Sequence, residues 1–443
     1  MELQRLSGYR GPLRKHLEDE GIEVGDLVSV VLQRFKYEGI LMPRSELEDE
    51  WHIVLKLKSG YNIGIAYFPG DTIIKRLGEA EKPHYEPTKP QPATKDLPRV
   101  SIVSTGGTIA SRVDYFSGRV YPAISASDLY SVVPELSDMA AIDCDIAYSI
   151  FSEDLTPKHW FEIAEKVARK ISEKAEGVVI THGTDTMGYS AAALSFALRN
   201  LPVPVILVGS QRSSDRPSSD AALNLIGAIA GASKAPFAEV VVGMHATTSD
   251  TDVVFHRGTK VRKCHTSSRS AFQSVNADPL AMYSNGTVKM LVSDYAARDL
   301  EKKLSLKNSF DERVTLLKFH PGFNPKIIDW LVEQEYKGIV IEGTGLGHVS
   351  QMCIESIRRA VAEGVTVVMT SQCLWGRVHM KVYRTGLLLL KAGVVSMEDM
   401  LPETAMVKLM WVLGQTQDPK EVVSMMQTNI AHEFSSRTLY RTR

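Results

Sequence analysis

An α/β fold is predicted for this chain of 443 residues: a small N-terminal β-barrel followed by a two-domain α/β body with mainly parallel sheets. Three observations predict it. Short strand-like runs crowd the first part of the chain. A proline-rich stretch then separates them from the rest. Beyond it, apolar β-branched runs alternate with segments of helical period.

The first strands read as Asp26–Leu32, Tyr37–Met42, His52–Gly60 and Tyr61–Tyr67. Residues Leu55–Lys58 alternate apolar and polar, as a half-buried strand does. Strands this short and this closely spaced suggest an SH3-like or OB-like barrel, here assigned residues 1–78 as an accessory domain. Between Pro83 and Pro98 there are five prolines in sixteen residues. Proline fixes φ and removes a donor, so residues 79–98 are expected to be an extended linker. After it come RVSIVS (Arg99–Ser104), GVVIT (Gly177–Thr181), PVILVG (Pro204–Gly209) and EVVVGM (Glu239–Met244). VTLLKF (Val314–Phe319), GIVIEG (Gly338–Gly343) and TVVMTS (Thr366–Ser371) follow. Continuous β-branched runs of this kind belong to parallel sheets covered on both faces. Trp160, Ile163, Ala164, Val167, Ala168 and Ile171 keep a 3.6 period, and Thr156-Pro157 supplies a cap and first turn. A polar stretch at Asp294–Glu312 divides the body into a large domain, 99–295, and a smaller C-terminal domain, 296–443. Helical segments near Ser396–Gln415 and Pro419–Phe434 suit either an interface or the core.

Composition excludes several classes. The chain has 51 Lys plus Arg against 52 Asp plus Glu, so no strongly basic surface covers it as in a dedicated nucleic-acid binder. The 44% hydrophobic content excludes wholesale disorder. Cys144, Cys264, Cys353 and Cys373 show no CxxC pairing and no metal-ligand spacing, which fits a reducing compartment and no metal site. The charged N-terminus lacks an apolar h-region, and no run reaches the ~20 apolar residues of a membrane span. A cytoplasmic protein without a membrane partner is expected.

Ligands of open parallel sheets bind beyond the carboxyl ends of the strands. Arg99–Ser104 is followed by Thr105-Gly106-Gly107-Thr108-Ile109-Ala110, and Gly177–Thr181 by His182-Gly183-Thr184-Asp185-Thr186-Met187. Taken singly, a Gly-Gly pair is a tight turn and Thr184 or Asp185 a helix cap. Taken together, two threonine-bearing glycine loops resemble a nucleophile beside backbone N–H groups that hold an oxyanion. Asp185 then suits a substrate ammonium group or a proton-transfer step. There is no GxxxxGK[ST]; Gly188-Tyr189-Ser190-Ala191-Ala192 lacks the second glycine of a serine-hydrolase elbow; and Gly343-Thr344-Gly345-Leu346-Gly347-His348 lacks the dinucleotide spacing.

At these two loops the sequence resembles the L-asparaginase-like amidohydrolases. The resemblance runs from Arg99 to Met426 and includes Lys408-Leu-Met-Trp-Val-Leu-Gly414. A barrel carrying Glu38-Gly-Ile-Leu-Met-Pro43, a proline linker and an asparaginase-like body together resemble the D-subunit family of archaeal glutamyl-tRNA(Gln) amidotransferases. That resemblance implies a threonine-dependent glutaminase or asparaginase releasing ammonia. It also implies a homodimer paired with an E subunit in a heterotetramer, which converts Glu-tRNA(Gln) to Gln-tRNA(Gln). No cofactor is then bound by this chain; ATP and magnesium are used on the partner, which also makes most of the tRNA contact.

Carried over by position, Thr108 matches the nucleophile and Thr184 the second threonine. Asp185 matches the adjacent acid and Lys263 the lysine that activates Thr184. Ser152 matches the residue that holds the substrate α-carboxylate, with Glu153 and Gly107 beside it. Glu153 stands where bacterial asparaginases carry Gln, and His348 where they carry an Asn from a neighbouring subunit. Residues Arg112–Tyr121 match a flap hinged at Gly118, whose tyrosine is Tyr115 or Tyr121. The alternatives are a free-standing cytoplasmic asparaginase/glutaminase and a non-catalytic amino-acid-binding protein.

Overall fold

The structure, a computed structural model, describes residues 6, 8–44, 49–57, 62–79, 97–106, 111–113, 120–122, 133–212 and 219–438. Most of the expected linker, 80–96, lies outside the described residues. Near the N-terminus, helix α1 (Gly11–Asp19) packs Leu13 and Leu17 against a five-stranded sheet. Its strands are β1 (Asp26–Leu32), β2 (Phe35–Leu41), β3 (His52–Lys56), β4 (Asn62–Ala66) and β5 (Thr72–Glu79), in the order β4-β3-β2-β1-β5, all antiparallel. The sequence predicts four of these strands and misses β5. Its alternation is broken because Leu27 pairs with Gly78 while Val28 pairs with Arg76, so Leu77 is the extra residue of a bulge. The barrel expectation is revised accordingly: among the described residues β4 and β5 do not pair, and the ladder stays open. Asp26 and Arg76 lock β1 to β5 through two hydrogen bonds of 2.8 Å.

Eight strands build the central sheet of the body. They are β6 (Arg99–Ser104), β9 (Ala141–Ile146), β10 (Gly177–Thr181), β12 (Val205–Val208), β13 (Val240–His245), β14 (Asp252–Arg257), β17 (Ala281–Ser284) and β18 (Thr287–Met290). Short pairs intervene in the chain: β7 (Ser111–Val113) with β8 (Val120–Pro122), β11 (Leu198–Arg199) with β19 (Ser305–Leu306), and β15 (Val261–Lys263) with β16 (Phe272–Ser274). The sheet order is β18-β17-β14-β13-β12-β10-β6-β9. From β9 to β13 it is parallel. From β13 onward it turns antiparallel, so the body is mixed where mainly parallel sheets were expected. Short connections such as 246–251 permit only antiparallel return, because a parallel neighbour needs a long crossover. One face is covered by α4 (Ala221–Lys234), the other by α2 (Pro157–Ser172) and α3 (Met187–Ala197). The Thr156-Pro157 start of α2 is as expected, with His159 Nδ1 accepting the Thr156 N–H at 2.9 Å.

The C-terminal unit is a four-stranded parallel sheet of β20 (Val314–Lys318), β21 (Gly338–Gly343), β22 (Thr366–Ser371) and β23 (Val395–Ser396). Helices α5 (Lys326–Glu333), α6 (Ile354–Ala362) and α7 (Arg384–Lys391) pack one of its faces. Helix α8 (Pro402–Gln415) packs the other and is core: Trp411 stacks on Phe196 of α3 with ring centroids 5.7 Å apart. Helix α9 (Pro419–Gln427) stops short of the expected Phe434. There the fully buried Lys408 ammonium takes the Met426 and Thr428 carbonyls and pairs with Glu433 at 2.6 Å. The Glu433 carboxylate also accepts the Ile430 and Ala431 N–H groups, which holds the tail in a non-helical turn. Among the described residues no helix is long and apolar enough to cross a membrane.

Candidate active site

Strands β6 and β10 lie side by side, with Ser104 opposite Thr181. The chain leaves β6 toward β9 on one side and leaves β10 toward β12 on the other. A crevice opens between the two exits, which is where doubly wound sheets bind ligands. The exits are stitched together. Thr105 donates to the Thr181 carbonyl from its N–H at 3.0 Å and its hydroxyl at 2.9 Å, and Thr181 Oγ1 donates to Ser104 Oγ at 3.1 Å. Gly106 has φ +112°, and a Cβ there would stand 2.4 Å from the Ile150 carbonyl oxygen. Only glycine fits that turn.

The β10 exit is shaped by a buried histidine. His182 Nδ1 sits 2.6 Å from the Gly183 carbonyl and Nε2 2.8 Å from Ser190 Oγ, which also receives the Trp160 indole N–H at 3.0 Å. These partners fit a neutral ring, donating from Nδ1 and accepting at Nε2. Burial pushes the His182 pKa down to about 4, and does the same to His256. Both rings are therefore neutral when folded yet take protons at about pH 6.5 when unfolded. The stabilisation is whole above pH 6.5 and drains away as the pH falls toward 4. The urea midpoint is expected to fall across that window, and the fall should be smaller in His256→Gln. A midpoint flat from pH 7 to 4 would contradict it.

Beyond His182 the chain passes close to neighbouring loops. A Cβ on Gly183 would meet Ser152 Cβ at 2.8 Å, and Thr186 Oγ1 donates to the Ser152 carbonyl at 2.6 Å. Gly209, at the exit of β12, leaves room for the Thr184 methyl. Thr184 is thereby half-buried at the crevice, and Asp185 is exposed beside it.

Lys263 reaches this pair from the end of β15. Its Nζ donates to Thr184 Oγ1 at 2.8 Å and to Asp185 Oδ1 at 2.9 Å, and its side chain is 15% exposed. A cation at that distance stabilises negative charge on the Thr184 oxygen, whereas a neutral amine there accepts its proton. So Thr184, Asp185 and Lys263, expected together, do meet. Ser152 is buried next to Gly183, and its hydroxyl has no hydrogen-bond partner among the described residues. Glu153 is exposed beside it. Gly107, Thr108, Tyr115 and Gly118 lie outside the described residues. Tyr121 pairs with Arg112 across β7 and β8. His348 follows β21, its ring 5.3 Å from that of Tyr383, and neither ring nitrogen has a hydrogen-bond partner among the described residues. None of His182, Ser190 and Trp160 is among the expected site residues. The His182-Gly183 dipeptide is conspicuous in the sequence, but the ring's side-chain partner Ser190 lies on α3, and Trp160, which donates to that hydroxyl, lies on α2. Among the described residues no three His, Cys, Asp or Glu side chains converge as a metal site.

Comparisons with known proteins give both family matches and similar chains. The model of the asparaginase N-terminal family matches residues 99–295, that of the glutaminase/asparaginase C-terminal domain residues 313–426, and that of the GatD N-terminal domain residues 22–73. The D subunit of the glutamyl-tRNA(Gln) amidotransferase of Pyrococcus furiosus is 52% identical over 433 residues, covering 96% of this chain and 98% of that protein. The protein of the same name from Metallosphaera sedula is 49% identical over 434 residues, covering 98% and 97%. Among solved structures, the thermostable L-asparaginase from Thermococcus kodakarensis superposes with a TM-score of 0.70 at 32% identity, covering 76% of this chain and 100% of that one. L-asparaginase I from Vibrio cholerae gives 0.68 at 29% identity, covering 76% and 99%.

Proposed function

Because this chain belongs to the D-subunit family of glutamyl-tRNA(Gln) amidotransferases, we propose that it releases ammonia from glutamine or asparagine and feeds it to the partner that amidates Glu-tRNA(Gln). The observation that carries the chemistry is the contact of Lys263 Nζ with both Thr184 Oγ1 and Asp185 at a sheet switch point.

In this reading the Thr108 hydroxyl attacks the side-chain amide carbon, and backbone N–H groups of residues 106–108 hold the oxyanion. The C–N bond breaks as the nitrogen takes a proton, and ammonia leaves. Thr184, polarised by Lys263, then activates water to open the threonyl ester, returning the acid and free Thr108. Asp185 takes the substrate ammonium group, and the Ser152 hydroxyl, which has no partner among the described residues, takes its α-carboxylate. Gly107 and Glu153 shape the same end of the pocket, and Tyr115 or Tyr121 covers it as part of a flap that excludes water.

The working assembly in this proposal is a homodimer of this chain joined to the E subunit as a cytoplasmic heterotetramer. ATP and magnesium act on the E subunit, and Glu-tRNA(Gln) is held mainly there. A free-standing asparaginase is the second reading, favoured by the solved asparaginases that cover 76% of the chain. Those structures leave part of the chain uncovered, and the match of residues 22–73 to the GatD N-terminal domain favours the first reading.

Hydroxylamine tests the covalent step. An acyl-enzyme partitions between water and hydroxylamine, so glutamine should yield the γ-hydroxamate at the expense of glutamate while ammonia release continues. Glutamate as the only acid product at high hydroxylamine would mean direct attack by water.

A further inference from the structure

Lys263 lies in the segment matched to the N-terminal asparaginase model, yet the strand that carries it is tethered to the C-terminal unit. Thr259 accepts the Thr404 hydroxyl on its carbonyl at 3.0 Å. Lys260 Nζ donates to Asp399 Oδ2 at 2.8 Å, with side chains 1% and 2% exposed. Arg262 pairs with Glu403 at 3.1 Å. Three of the four residues preceding Lys263 are thus bonded to residues 399–404. The far end of the hairpin is held there too. Asn276 Nδ2 donates to the carbonyls of Asp399 and Gly376 at 3.1 and 3.0 Å, and Val275 N–H donates to the Lys260 carbonyl at 2.8 Å. Asp399 is itself fixed, because its Oδ1 accepts the Ser435 N–H at 3.0 Å.

The ordinary account of a buried ion pair is general stability, and it is a weak one. Desolvating two charges offsets most of their attraction, so an apolar pair of similar volume often folds as well. What the ion pair has that apolar contact lacks is direction, since burial of apolar surface is non-directional. One Nζ on one carboxylate oxygen sets how far β15 runs before Lys263 turns toward Thr184.

We propose that the buried Lys260–Asp399 pair is a positioning device for the reaction: it fixes the register of β15, so that Lys263 Nζ falls on Thr184 and Asp185. Asp399 and Lys260 touch no reacting atom. They act through Lys263, and the proposal rests on the reading of Lys263 given above. A consequence is that the catalytic lysine is set from the C-terminal unit, through Asp399 and the Ser435 tail, while Thr184 is set from β10.

The test uses full-length protein with glutamine as substrate and four variants: Lys263→Met, Asp399→Asn, Lys260→Met and the double Lys260→Met/Asp399→Leu. Misplacement of a catalytic group by about 1 Å lowers turnover on the order of a hundredfold. The double variant is therefore expected to stay folded, giving up only the Ser435 hydrogen bond, while kcat falls roughly tenfold to a hundredfold. Asp399→Asn, which is isosteric and keeps an oxygen for Ser435 N–H, carries the test should the double variant not fold. Wild-type kcat in the folded double variant, or in Asp399→Asn, overturns the proposal. Wild-type kcat in Lys263→Met overturns the underlying reading instead, so the two failures are distinct.

Discussion

Lys263→Met is expected to lower kcat for ammonia release on the order of 10²–10⁴-fold, the range for losing a positioned proton-transfer group. Methionine keeps most of the stem's length and packing but has no ammonium for Thr184 Oγ1 or Asp185 Oδ1. The stem is mostly enclosed, at 15% exposure, so an apolar replacement is tolerated and the melting temperature should hardly move. Lys263→Arg is not a benign control, because a planar guanidinium cannot place one point charge on two oxygens in the same way. Turnover within about threefold of wild type in Lys263→Met would remove the lysine from the chemistry.

The second large effect concerns the threonines. Thr108→Val removes the proposed attacking oxygen and is expected to cost about 10⁴-fold or more in kcat, as loss of a nucleophile does elsewhere. Thr184→Val keeps the methyl that Gly209 accommodates and removes only the oxygen that meets Lys263. It should cost on the order of 10²–10⁴-fold, like Lys263→Met. If Thr184 and Lys263 act as one unit, the double Thr184→Val/Lys263→Met variant should lose little more than either single variant. Multiplying losses would show that the two side chains act independently. Near-normal turnover in Thr108→Val would hand the attack to Thr184, the other hydroxyl on a glycine loop.

Much of this molecule is legible in its sequence, and the residues show why. Gly177–Thr181 and Gly338–Gly343 read as strands to the residue because both faces are covered, which leaves five and six consecutive buried positions. Both glycine loops follow such strands, so the crevice between β6 and β10 is readable from the chain order. Strand β14 is less readable. Asp252 and Arg257 bracket a four-residue buried run whose direction is set by a hairpin connection rather than by composition. Strand β5 is hidden by its bulge at Leu77.

At the site, a lysine on its own argues for solvent, since Lys is seldom buried. Only the resemblance singles out Lys263, whose bonding partners lie 79 and 78 residues away in the chain. Nothing local marks Lys260 either, because its carboxylate partner is 139 residues distant. Long-range pairs of this kind are the part of a site that periodicity and spacing do not carry.

If this chain makes ammonia for a partner, its ammonia release should depend on that partner. Ammonia release from glutamine and from asparagine should be followed with the purified chain alone, then with the E subunit, Glu-tRNA(Gln), ATP and magnesium. Release should rise sharply in the complete mixture, with Gln-tRNA(Gln) formed in step and both signals lost in Thr184→Val. Full release by the chain alone, unchanged by partner and tRNA, would contradict it and leave a free-standing asparaginase carrying an N-terminal sheet with no assigned work.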